Sequence, residues 1–192
     1  MTRPTGPRRA LPSLVSASRI AAAPFLHHLI VSGRFRDAAV LLGCAAASDI
    51  LDGALARRLD AVTRAGAWID VTADFALVVA GLAGLVAAGA APVWVPLLAV
   101  LMFGQFVLSS RRDGPIYDPI GRYYGGFLYG VLAVFLLAPD PAVWYAAPLA
   151  VAAMTAASIG SRATYYWRTS RAQPAAARVP PRSGPRTGAN AL

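Results

Sequence analysis

DILDGALARRLDAVTRAGAWIDVTAD, residues 49–74, places carboxylates in an otherwise apolar chain. Asp49 and Asp52 are three residues apart, and Asp70 and Asp74 are four apart. Both spacings put a pair of side chains on one face of an α-helix. The link between the two pairs is short and rich in arginine, which predicts two antiparallel neighbouring helices. All four carboxylates are then expected to converge at one end of that pair.

Working outward, the whole chain reads as apolar and helical. Of 192 residues, 57% are hydrophobic, and the mean hydropathy is +0.53, values that belong to membrane proteins. Six segments approach the ~20 apolar residues that a bilayer span needs: 13–32, 37–58, 66–88, 92–110, 120–138 and 142–165. Gly33, Gly89 with Pro92, Gly114 with Pro115 and Pro119, and Pro139 with Pro141 punctuate them. The expected fold is all-α, an integral membrane bundle of six transmembrane helices. Three regions follow: a basic N-terminal segment (1–12), a catalytic bundle (13–169) and a disordered basic tail (170–192) rich in Pro, Ala, Arg and Gly.

Every positive side chain counted in the net charge of +9 is an arginine, and every negative one an aspartate. The arginines cluster between apolar runs and do not line one polar face, so they point to a membrane surface and away from nucleic acid. With the N-terminus cytoplasmic, fifteen arginines fall inside, and only Arg34 and Arg36 fall outside. The positive-inside rule therefore puts both termini and the acid-bearing link on the cytoplasmic side of the cell (inner) membrane. Arg19 interrupts the first apolar run, which reads as a retained helix, not a cleaved signal. The lone cysteine, Cys44, reads as core packing.

Four converging carboxylates near lipid cost about 2.5–3.5 kcal/mol each at the bilayer centre, so a compensating charge is required. A hard divalent cation such as Mg²⁺ meets that need with oxygen ligands and leaves positions for substrate phosphates. Gly53, Ala56 and Gly66 offer room for a bulky substrate beside the acids. Arg57 is placed to contact phosphate through its planar fork.

The spacing Asp49-x-x-Asp52-Gly53-x-x-Ala56-Arg57, then Gly66-x-x-x-Asp70-x-x-x-Asp74, resembles the signature of the CDP-alcohol phosphatidyltransferase family in every fixed position. Pro12, Ser13, Ser16, Arg19 and Pro24 resemble that family's first-helix run, with serine in place of its usual Asn and Thr. The resemblance implies a membrane homodimer that moves a phosphatidyl group from CDP-diacylglycerol to the hydroxyl of a small polar alcohol, releasing CMP. It implies Mg²⁺ or Mn²⁺ held among Asp49, Asp52, Asp70 and Asp74, with Asp74 as the base. It also implies CDP-lipid contacts at Gly53, Ala56, Arg57 and Gly66.

Basic residues on later helices bind phosphorylated acceptors in that family, which makes Arg111, Arg112, Arg122 and Arg162 the candidates for acceptor binding. Positive-inside topology accounts for them equally simply. The two GxxxG spacings, Gly121 with Gly125 and Gly126 with Gly130, are expected to serve packing within the bundle. His27 and His28 lie far along the chain from the acids. Two other classes of membrane protein also use intramembrane carboxylates. A membrane prenyltransferase has two separated acidic motifs, whereas this chain has one cluster. A divalent-cation transporter distributes acids along a pathway, whereas the last three apolar segments hold none.

Overall fold

A computed structural model describes residues 11–58, 64–110 and 123–172, all of it helical apart from short connections. The elements are α1 (Leu11–Val31), α2 (Phe35–Arg58), α3 (Arg64–Ala87), α4 (Trp94–Ser110), α5 (Tyr124–Leu137) and α6 (Pro141–Ala172). Among the described residues there is no strand. The six helices lie on the six apolar segments read from the sequence. α6 runs beyond its expected end and takes the first residues assigned to the tail into the helix; 173–192 lie outside the described residues.

The turns follow from local chemistry. After α1, Gly33 adopts a φ of 71° and donates its N–H to Ile30, while Arg34 donates to Leu29. After α3, Gly89 has a φ of 73° and donates to Val86, while Ala90 donates to Leu85. Each is a left-handed cap that satisfies the last carbonyls of its helix, a conformation glycine adopts without strain. α6 opens on Pro141, preceded by Asp140, whose Oδ1 accepts the Ala142 N–H at 2.7 Å. An acidic cap followed by proline is a well-formed helix start.

α1 packs on both α2 and α3, and its most extensive interface is with α3. The sequence led us to expect α2 and α3 as direct partners; among the described residues α1 joins them. The reason lies in Gly81 and Gly84 of α3. A Cβ on Gly84 would sit 3.1 Å from Ile30 Cβ and 3.3 Å from the His27 carbonyl, and one on Gly81 would meet Leu26 and Leu132. Small residues thus let α1 approach α3 closely, and the His27 Nδ1 lies 3.2 Å from the Ala80 carbonyl across the same seam. On the opposite side of α3, Phe75 stacks on Phe103 of α4 with centroids 3.8 Å apart, and Trp68 contacts Phe106. α5 touches α2, α3 and α6.

Two sequence expectations are corrected. Cys44 is exposed, because α2 turns the stripe Ala38, Leu42 and Ala45 to the core and leaves Cys44 outside it. Among the described residues nothing lies within 4 Å of where a Cβ would stand on Gly125, Gly126 or Gly130, so these glycines make no close approach there; Gly121 lies outside the described residues.

Large apolar side chains such as Phe25, Val40, Leu97, Leu137 and Leu149 point outward on five helices. In water that surface would drive association, and lipid suits it. Among the described residues two helices, at Trp68–Ala87 and Pro141–Thr164, are long and apolar enough to cross a bilayer. α4 and α5 are apolar but shorter, with 17 and 14 residues. α1 and α2 carry charge within their length.

Candidate active site

Three helices each end their core-facing stripe on a charge. In α1 the buried positions are Arg19, Ala23, Leu26 and Ile30. α2 buries Ala38, Leu42 and Ala45, and Asp49 continues that register. In α3 the buried Ala73, Leu77 and Leu82 follow Asp70 and flank Asp74. Since α1 and α3 run against α2, the N-terminal ends of the first and third helices meet the C-terminal end of the second. The charges therefore gather at one end of the bundle.

Their centre is Arg19. The residue is 1% exposed. Nη1 lies 2.8 Å from Asp49 Oδ1 and also bonds Asp74 Oδ1, while Nη2 lies 3.6 Å from Asp70 Oδ1. Its Nε is buried and has no hydrogen-bond partner among the described residues. From α5, the Tyr129 hydroxyl donates to Asp74 Oδ1 at 3.2 Å. Arg19 was visible in the sequence as an interruption of an apolar run and as part of the first-helix resemblance, but not as the partner of the acids. The available signal was its place in the stripe that leads to Leu26 and Ile30: an arginine on the core face of a membrane helix needs anionic partners.

Of the residues singled out in the sequence, the structure unites Asp49, Asp70 and Asp74. Asp52, Ala56 and Arg57 lie in the last turns of α2, and their side chains fall outside the described set. Gly53 in α2 and Gly66 in the first turn of α3 are half-buried. Arg111, Arg112 and Arg122 lie outside the described residues. Arg162 is buried on α6, on the same face as Thr155 and Ser158. The Tyr124 hydroxyl donates to Thr155 Oγ1 at 2.7 Å, and Thr155 donates to the Val151 carbonyl. This polar stripe in an apolar helix was not read from the sequence; its i, i+3, i+7 spacing was the signal.

The donor set suits a hard divalent cation. All three carboxylates supply oxygen and already surround one positive centre, and their side chains are 43%, 40% and 31% exposed for Asp49, Asp70 and Asp74. They are thus open to an ion and to phosphate arriving from outside. As placed, no three acids among the described residues are grouped closely enough to share one ion, since the guanidinium stands between them.

The chain matches the family model for CDP-alcohol phosphatidyltransferase over residues 9–162. It is 28% identical over 168 residues to a cardiolipin synthase (CMP-forming) of Streptomyces coelicolor, covering 82% of this chain and 77% of that protein. It is 34% identical over 107 residues to a CDP-diacylglycerol–glycerol-3-phosphate 3-phosphatidyltransferase of Pseudomonas fluorescens, an alignment that spans 54% of each chain. No solved structure matches.

Proposed function

We infer the reaction from a plain premise, that this chain belongs to the CDP-alcohol phosphatidyltransferase family and is a transferase of phospholipid synthesis. The family is membrane-associated, generally depends on divalent cations, and transfers the phosphatidyl group of CDP-diacylglycerol to an alcohol with release of CMP. Neither the prenyltransferase nor the transporter reading finds support in these matches.

The observation that carries the assignment of roles is the gathering of Asp49, Asp70 and Asp74 around Arg19. Asp49, Asp52 and Asp70, with help from Asp74, would hold Mg²⁺ or Mn²⁺. Bound there, such an ion would neutralise the diphosphate and the charge on departing CMP. Arg19 keeps the acids together and offsets their mutual repulsion. Asp74 takes the proton of the acceptor hydroxyl as the new O–P bond forms at the β-phosphorus and the P–O bond to CMP breaks. Gly53, Ala56, Arg57 and Gly66 border the CDP-lipid.

The acceptor in this reading carries a phosphate. One relative is named for glycerol 3-phosphate as acceptor, and Arg162 is a buried cation on a polar stripe of an apolar helix. Arg111, Arg112 and Arg122 join it as acceptor-binding candidates, suited to bidentate recognition of phosphate. The six helices span the inner membrane with both termini and the acid end cytoplasmic, and the enzyme works as a homodimer. The apolar outer surface and the arginine distribution support the membrane placement.

CMP release from CDP-diacylglycerol by purified protein tests this reading, with phosphorylated and uncharged alcohols compared as acceptors. Asp74→Asn should lose ~10² to 10⁴ in turnover, the usual range for general-base catalysis, and retain most Mn²⁺-dependent CDP-lipid binding. Asp49→Asn should lose binding and turnover together. Equal binding defects in the two variants would remove the separate role of Asp74.

A further inference from the structure

Tyr129 brings a neutral hydroxyl to the acid cluster, and the mechanism above does not use it. It comes from α5, a helix whose other buried side chains, apart from Tyr124, are purely apolar. Its ring packs against that core, which fixes the hydroxyl in space at small further cost in rotamer freedom. The hydroxyl donates to Asp74 Oδ1, the same oxygen that Arg19 engages.

We propose that Tyr129 is a positioning residue for the transfer reaction. By sharing Oδ1 of Asp74 with Arg19, it sets the orientation of the carboxylate and turns the other oxygen, Oδ2, toward the acceptor hydroxyl. This inference rests on the reading of Asp74 as the base. Two donors from different helices on one oxygen determine both the side-chain torsion and the plane of the carboxylate. Arg19 alone cannot do so, because its guanidinium is shared among three acids. Small errors in orientation are costly in a step that needs near-attack geometry. During the step the phenol remains protonated: the acceptor proton moves to Oδ2, the acceptor oxygen bonds phosphorus, and CMP leaves with the electron pair of its P–O bond. α5 also bonds α6, the helix that carries Arg162, through Tyr124 and Thr155.

The test compares the full-length parent with Tyr129→Phe, Asp74→Asn and the double variant, purified in detergent. Three quantities are read: kcat for CMP release, equilibrium binding of CDP-diacylglycerol in Mn²⁺, and the midpoint of thermal unfolding in EDTA. Tyr129→Phe should lower kcat about ten- to a hundredfold, the scale of one hydrogen bond to a charged group. Lipid binding, its KM and the unfolding midpoint should stay at parental values, which a merely structural tyrosine would not allow. The double variant should be no slower than Asp74→Asn alone. The proposal is overturned by an unchanged kcat in Tyr129→Phe, by a loss that tracks binding or thermal stability, or by a full further loss on the Asp74→Asn background. Parental turnover in Asp74→Asn itself would instead sink the base assignment, and it is read without reference to Tyr129.

Discussion

Arg19 carries more of this site than any single acid. It is buried, it touches carboxylates from two other helices, and one of its donors has no partner among the described residues. Breaking a fully buried ion pair costs about 3–5 kcal/mol. The acids here are roughly a third or more exposed, so solvent screening brings the cost of losing Arg19 below that range. The loss also leaves three carboxylates without their common counter-charge, a role that a divalent ion can take over. Arg19→Gln is therefore expected to lower the melting temperature markedly in EDTA and much less in saturating Mn²⁺. Equal shifts in both conditions would show that Arg19 and the metal do not share one cluster of acids. The acids were legible in the sequence because their spacing is a helix-face spacing. Their partner was not, because an arginine 30 residues before Asp49 has no local pattern that names what it touches.

At the scale of the helix, the number and approximate limits of the elements were readable, since apolar runs bounded by glycine and proline leave few alternatives. Pairing was not. The short link after Arg58 suggested that α2 and α3 are partners, yet α1 joins them, because Gly84 removes the side chain that would hold α1 away. GxxxG spacing drew attention to α5, where the described glycines face open space, and away from α3, where glycines three apart make the close approach. Spacing shows which residues share a face, but not which face meets a neighbour. Gly84→Val should press on Ile30 Cβ and the His27 carbonyl, neither of which can swing aside. Overpacking of this kind costs about 1–3 kcal/mol, and pushing α1 outward also moves Arg19 from Asp70 and Asp74. Thermal stability and turnover should both fall. Gly104→Ala on α4 adds its Cβ to open space and should leave both within about 0.5 kcal/mol of the parent. Indistinguishable behaviour of the two variants would show that the α1–α3 approach does not depend on Gly84.

Among the described residues, the acid cluster lies at one end of α1 and α2 and the turn that joins them at the other. From Arg19 to Val31, α1 rises about 18 Å, more than half of a bilayer core of about 30 Å. Ser32, Gly33 and Arg34 then form the turn into α2, where Arg34 Nη2 pairs with Asp37 at 2.6 Å on an exposed surface. In the proposed orientation the acid end faces the cytoplasm, because fifteen arginines lie on that side against two at the turn. An enzyme that draws CDP-diacylglycerol and a charged acceptor from the cell interior requires this arrangement, since a phosphorylated alcohol does not cross lipid unaided. The exposed Cys44 is the single native thiol, so Cys44→Ala provides a background in which an added cysteine is the sole reporter. Ser32→Cys, exposed at the turn, should react with an impermeant maleimide in intact cells whose outer barrier has been permeabilised. Ala61→Cys, in the link between the two acid-bearing helices, should react only after the inner membrane is opened. The reverse pattern would turn the active site outward and remove the cytoplasmic supply of acceptor from the proposed reaction. Labelling of both positions in intact cells would mean that the two ends of α2 lie on one side, which is incompatible with a membrane-spanning α2.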